Sequence, residues 1–181
     1  MFLYFKRGRI HSALLLIIGF VIIVCNGGIS MVTQVELKVD QEAPGFKLSA
    51  YPSGEYSLAQ FKGKKNVILA FYPKDDTPGC TAENCAFRDD SSKFEAADTQ
   101  VFGISCDDVK SHETFSAKFS LKHPLLADVG GIVAKQYGTY QEGKNYSSRK
   151  LFLIDKNGMI RKIVDGMPSN SELLDFVKNL K

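Results

Sequence analysis

Short apolar runs alternate along this chain with longer stretches whose apolar positions recur every three or four residues. The first pattern suits buried strands, and the second suits helices packed on one face. Phe46 to Ala50 and Glu55 to Leu58, parted by Tyr51-Pro52-Ser53-Gly54, read as a hairpin with a proline/glycine turn. Asn66 to Phe71 is an apolar run short enough for a buried strand. Helical periodicity follows from about Pro78 to Ala97, then a strand at Val101 to Ser105, a helix near Val109 to Phe119 and a short strand at Leu125 to Ala127. The last third reads as a helix around Ile132 to Tyr137, strands at Leu151 to Ile154 and Ile160 to Val164, and a closing helix from Glu172 to Leu180. Asp155-Lys156-Asn157-Gly158 joins those two strands, and Asn-Gly is a strong hairpin signal. Strands alternating with helices, and ending in a hairpin and a helix, predict an α/β fold with a mixed sheet flanked by helices.

One segment falls outside this pattern. Ala13 to Cys25 is a run of thirteen mostly aliphatic residues behind Lys6, Arg7 and Arg9. That is the length and flank of a signal-peptide core and is short for a membrane span. Residues 1–30 therefore form a leader that exports or anchors the chain, or an upstream extension of a chain that starts at Met31. No A-x-A cleavage pattern follows it, and Val24 stands where a lipoprotein box around Cys25 would carry a small residue. Membrane contact is expected only if the leader is retained.

Residues 31–181 read as one domain, since a chain of 181 residues that is 44% apolar can bury one good-sized core. The formal charge of +3 comes from the leader; residues 31–181 carry twenty basic and twenty acidic groups. No basic patch with interleaved aromatics remains to suggest nucleic acid. The cytoplasm is the expected compartment, because Cys106 has no evident partner.

The segment that carries chemistry is Pro73-Lys74-Asp75-Asp76-Thr77-Pro78-Gly79-Cys80, with Cys85 five residues on. Thr77 is a good N-cap and Pro78 suits the first helical position. Cys80 is then in the first turn of a helix, where unpaired N–H groups and the positive end of the helix dipole favour a thiolate, the nucleophilic form. Cys80, Phe87 and Phe94 are spaced by seven and share one seam. Cys85 lies about 140° off that seam and ~7.5 Å along the axis, so the two sulfurs cannot join while both residues stay helical.

Pro73, Thr77 and Cys80 match the PxxxTxxC signature of the peroxiredoxins, and the chain resembles that family, in particular its bacterioferritin comigratory protein or peroxiredoxin Q subgroup. The similarity runs on through Phe102-Gly103-Ile104-Ser105, Pro124-Leu125-Leu126-Ala127-Asp128, and Arg149 followed by Phe152-Leu153-Ile154-Asp155, covering roughly residues 36 to 181. The resemblance implies a thioredoxin-like fold and a thiol peroxidase acting on hydrogen peroxide and organic hydroperoxides. It implies Cys80 as the peroxidatic thiol, Cys85 as resolving cysteine within the same chain, Arg149 as the cation at the thiolate, Thr77 as its hydroxyl partner and Pro73 as its cover. It further implies thioredoxin or a similar dithiol as reductant, and no metal, flavin or haem. With resolution internal to the chain, a monomer is expected.

Other readings of the same residues carry less. Two cysteines in C-x4-C are too few for a zinc site, and His11, His112 and His123 show no companion spacing. Thioredoxin-type exchange calls for C-x-x-C, which is absent. Cys106 reads as a small core residue, and Glu83 and Arg88 as solvated charges outside the catalytic set. A functional alternative is a redox-sensing binding module in which oxidation of Cys80 changes a surface without turnover.

Overall fold

The computed structural model describes residues 36–52 and 54–180. The apolar leader, with Cys25 and His11, lies outside the described residues. Residues 36–44 form an arm that turns at Val39–Asp40, where Asp40 has a φ of 66°, and is pinned to the sheet edge by backbone bonds from Asp40 to Ile160 (2.8 Å), from Ile160 to Gln41 (2.8 Å) and from Ala43 to Gly158 (2.9 Å).

The expected hairpin is strands β1 (Lys47–Tyr51) and β2 (Glu55–Ser57), paired antiparallel and followed by a 3-10 turn at Leu58–Phe61. Strand β3 (Asn66–Phe71) is buried at all six positions. Then come α1 (Pro78–Asp89), α2 (Ser91–Ala96), β4 (Thr99–Ser105), α3 (Val109–Phe119) and β5 (Leu125–Ala127). Helix α4 (Ile132–Gln136), a small hairpin of β6 (Tyr140–Gln141) and β7 (Tyr146–Ser147), strands β8 (Lys150–Ile154) and β9 (Ile160–Asp165), and α5 (Asn170–Lys178) complete the described chain.

The main sheet has the order β2-β1-β5-β4-β3-β8-β9. β3, β4 and β5 run parallel, while β1, β8 and β9 join antiparallel, which is the mixed sheet the pattern predicts. Alternate residues of β3 feed different layers, as a period of two requires. Val67, Leu69 and Phe71 pack with Phe102, Phe152 and Tyr137 on one face. Ile68 and Ala70 pack with Phe87, Phe94, Leu173 and Val177 on the other.

Three details depart from the sequence pattern. The single helix expected from Pro78 to Ala97 breaks at Asp90, whose carboxylate accepts from Lys93 (2.6 Å) and Asn170 (3.0 Å). These side-chain bonds tie the break to α2 and to the start of α5. The β6–β7 hairpin has strands too short to leave a periodic signal. At the β8–β9 turn only Gly158 takes a positive φ, of 85°, because the Asp155 carboxylate accepts from the backbone N–H groups of Asn157 and Met159 at 2.9 Å and fixes the turn.

Candidate active site

The parallel strands β3, β4 and β5 end on one side of the sheet, and the chain leaves β3 there through Tyr72 to Thr77 into α1. Cys80 sits in the first turn of α1, 1% exposed, against Tyr72, Phe115 and Leu125. Its expected neighbours on the helical seam, Phe87 and Phe94, are buried with ring centroids 5.8 Å apart, but in the adjoining core layer.

β8 begins where β3 ends, with Lys150 registered on Phe71. This antiparallel pairing delivers Arg149 to the start of α1. Its Nη2 donates to Cys80 Sγ at 3.2 Å, and its Nη1 pairs with the Glu83 carboxylate. Gly79 leaves room for the guanidinium, since a Cβ there would lie 3.2 Å from Nη2. A cation bonded to both Cys80 and Glu83 is thus held against the sulfur.

Glu83 is the main departure from expectation. It is 3% exposed, whereas its place on a charged helix surface predicts solvation. Burial pushes its carboxyl up to about 7, although the charge and hydrogen bond of Arg149 pull the other way. Arg88 likewise is not free in solvent: its Nη1 donates to the Phe119 carbonyl at 2.7 Å and its Nε pairs with Asp89 at 2.8 Å.

Thr77 is the N-cap residue, with extended backbone (φ −96°, ψ 149°), and its carbonyl accepts the first helical bond from Thr81 at 2.8 Å. Its hydroxyl does not accept from the helix as expected. It donates to the Lys74 carbonyl at 3.1 Å, closing the turn before the helix instead. Pro73 is half-buried at the end of β3.

The turn itself is tied to α3 by a buried network. Asp75 accepts from Tyr72 Oη (2.7 Å), Ser111 Oγ (2.7 Å) and His112 Nδ1 (2.9 Å), and its backbone N–H donates to Asp107 (2.9 Å). Burial raises the Asp75 carboxyl, but the bonds from His112, Ser111 and Tyr72 outweigh it and hold it below its ordinary value. Lys118 pairs with Asp76 at 2.6 Å, and Asp76 takes a left-handed φ of 54°, which aspartate tolerates. The turn reaches α1 already fixed in shape.

Cys85 is half-buried in the same continuous helix as Cys80, and both thiols are free. Cys106 is buried at the end of β4, 4.0 Å from Ser147 Oγ, and burial raises its thiol. That agrees with a core residue. Among the described residues, no helix is long and apolar enough to cross a membrane.

A proline-threonine turn, a buried cysteine in the first turn of a helix and an arginine just before a neighbouring strand thus meet at one end of the sheet. The sequence pattern of the AhpC/TSA family matches residues 39–163, and the chain belongs to that family. It is a thiol-dependent peroxidase of the peroxiredoxin class.

Within that class it is 45% identical over 152 residues to the putative peroxiredoxin bcp of Coxiella burnetii, covering 81% of this chain and 100% of the relative. It is 39% identical to the chloroplastic peroxiredoxin Q of Suaeda salsa, over 76% of this chain and 66% of that longer protein. Among solved structures, peroxidoxin BcpB from Mycobacterium tuberculosis superposes with a TM-score of 0.74 at 27% identity, covering 81% of this chain and 99% of the other. The reduced 2-Cys peroxiredoxin of Plasmodium vivax gives 0.72 at 32% identity, over 78% and 81%. These relatives bear out the thioredoxin-like fold and the bacterioferritin comigratory protein and peroxiredoxin Q resemblance read from the motifs.

Proposed function

We propose that Cys80 is the peroxidatic thiol of this peroxidase and that Cys85 of the same chain resolves it. The carrying observation is the contact of Arg149 Nη2 with Cys80 Sγ at 3.2 Å in the first turn of α1. The Cys80 thiolate attacks the terminal oxygen of a peroxide; an S–O bond forms, the O–O bond breaks, and the leaving alkoxide or hydroxide takes a proton. Arg149 and the N–H groups of Gly79 and Cys80 oppose the charge that develops on sulfur and oxygen. The Thr77 hydroxyl orients the peroxide, and Pro73 limits water at the sulfur.

Cys85 thiolate then attacks the sulfenic sulfur, an S–S bond forms and hydroxide leaves, protonated to water. Helix geometry forbids this with both residues in α1, so the first turns unwind at this step. Peroxiredoxins use thioredoxin-type reductants and peroxide substrates. For this chain the proposal is a cytoplasmic monomer that reduces hydrogen peroxide and organic hydroperoxides and is returned to the dithiol by thioredoxin. The reductant's two thiols become a disulfide in exchange.

Consumption of peroxide under multiple turnover with a thioredoxin system tests this. Sustained consumption supports the enzyme; a single equivalent followed by a stall supports a redox-sensing module.

A further inference from the structure

Asn84 lies between the two cysteines and is 1% exposed. Its Nδ2 donates to the Cys80 carbonyl at 2.9 Å, which leaves Oδ1 as acceptor for His123 Nε2, also at 2.9 Å. The ring proton is therefore on Nε2, and Nδ1 is buried without a partner. His123 is 5% exposed, just before β5, with its ring edge-on to Phe87 at 5.9 Å. Burial pushes the imidazole down to about 4, so it is neutral at neutral pH. The pocket is shaped for this contact: a Cβ on Gly103 would lie 2.9 Å from Asn84 Oδ1 and 2.7 Å from Leu125 Cδ2.

Neither side chain is hydrogen-bonded to the Cys80 sulfur, which receives its bond from Arg149. Both are bound up instead with whether α1 stays wound. Bringing Cys85 to Cys80 moves Asn84 out of its pocket, breaks two buried hydrogen bonds, and strands the His123 N–H beside the Phe87 ring. Leaving a buried donor unpaired opposes that movement.

We propose that the His123–Asn84 hydrogen bond is a clasp that holds the start of α1 helical, limits the rate at which Cys85 reaches oxidised Cys80, and so lengthens the life of the sulfenic acid. This rests on the assignment of Cys80 and Cys85 proposed above. His123 and Asn84 are positioning residues: the clasp acts after peroxide attack and leaves that step unchanged. A longer-lived sulfenic acid is more open to a second peroxide, which takes it to sulfinic acid.

The test is rapid-mixing kinetics of the full chain with hydrogen peroxide, following Cys80 oxidation and disulfide formation separately, with sulfinic acid counted by mass spectrometry. His123→Phe keeps the ring volume but orphans Asn84 Oδ1. It is expected to form the disulfide roughly three- to tenfold faster, the worth of one net buried hydrogen bond. It should also yield less sulfinic acid at equal peroxide, with the rate of Cys80 oxidation unchanged. Asn84→Ala, compatible with the helix, should change the same step in the same direction by less, because alanine itself favours helix. The double variant should fall short of the product of the single effects, since both act on one contact. An unchanged disulfide rate in both single variants, with peptide mapping still finding Cys80 joined to Cys85, overturns the clasp alone. A wild-type chain that never joins Cys80 to Cys85 overturns the cysteine assignment and the clasp with it.

Discussion

The two halves of α1 are built for opposite tasks. Its first turn presents exposed Pro78 and Gly79 to solvent and is held by polar contacts: Arg149 on Cys80, Arg149 on Glu83, and Asn84 on the Cys80 carbonyl. Its second half is held by apolar packing, with Phe87 against Phe94 and His123, and by Arg88 bonded to the end of α3. The contacts of Arg149 can be exchanged for water when the segment unwinds, whereas apolar burial and the buried His123–Asn84 bond are lost outright. One helix thus carries a start held largely by polar contacts, where the proposed unwinding falls, and an end held by apolar packing.

The sharpest break in this comparison is at the sulfur. Cys80→Ser should abolish peroxide reduction, because serine offers no comparable nucleophile at neutral pH. Peroxide consumption above the uncatalysed rate would remove Cys80 from its role. In the second half, Phe87→Ala should destabilise the whole domain by about 3–5 kcal/mol, the usual cost of emptying a buried phenylalanine site, as read by denaturant unfolding. A much smaller loss would mean that this end of α1 is not the anchor.

Arg149→Ala removes the cation from both thiolate and transition state and leaves the buried Glu83 without its partner, so it should slow Cys80 oxidation by about a hundredfold and also lower stability. An unchanged rate would return Arg149 to an ordinary strand-end charge. The smallest effect is at Glu83. Its folded value of about 7 lies above the ordinary 4.5, so the folded state holds its proton more tightly than the unfolded state. Its contribution to stability is present below pH 4.5 and is lost as pH rises through 7. Glu83→Gln should therefore help stability more at pH 8 than at pH 5, and should flatten any inflection of the Cys80 oxidation rate near pH 7. Parallel stability curves for variant and wild type would contradict that reading.

Much of this was legible in the sequence, because the strands are short apolar runs and the reactive turn is spelled by residue types with few other uses. Thr77, Pro78 and Cys80 mark the helix start, and Arg149 at the head of β8 follows from the motif order. What escaped was polar burial. Glu83 and Asn84 are three and four residues after Cys80, so they lie on the same face as the sulfur and point inward with it. Their identity argued for solvent, and only the arrival of Arg149 and His123 from distant segments makes burial tolerable. The break at Asp90 was hidden for the same reason, since the Asn170 that bonds it is eighty residues away.

In the proposed cycle, Cys85 reaches Cys80 by unwinding the first half of α1. Peptide mapping of the wild-type chain after one equivalent of peroxide tests this most directly. The predicted product is a monomer with Cys80 joined to Cys85 and Cys106 free. Cys80 joined to Cys106 or to a second chain, with Cys85 still a thiol, would contradict it.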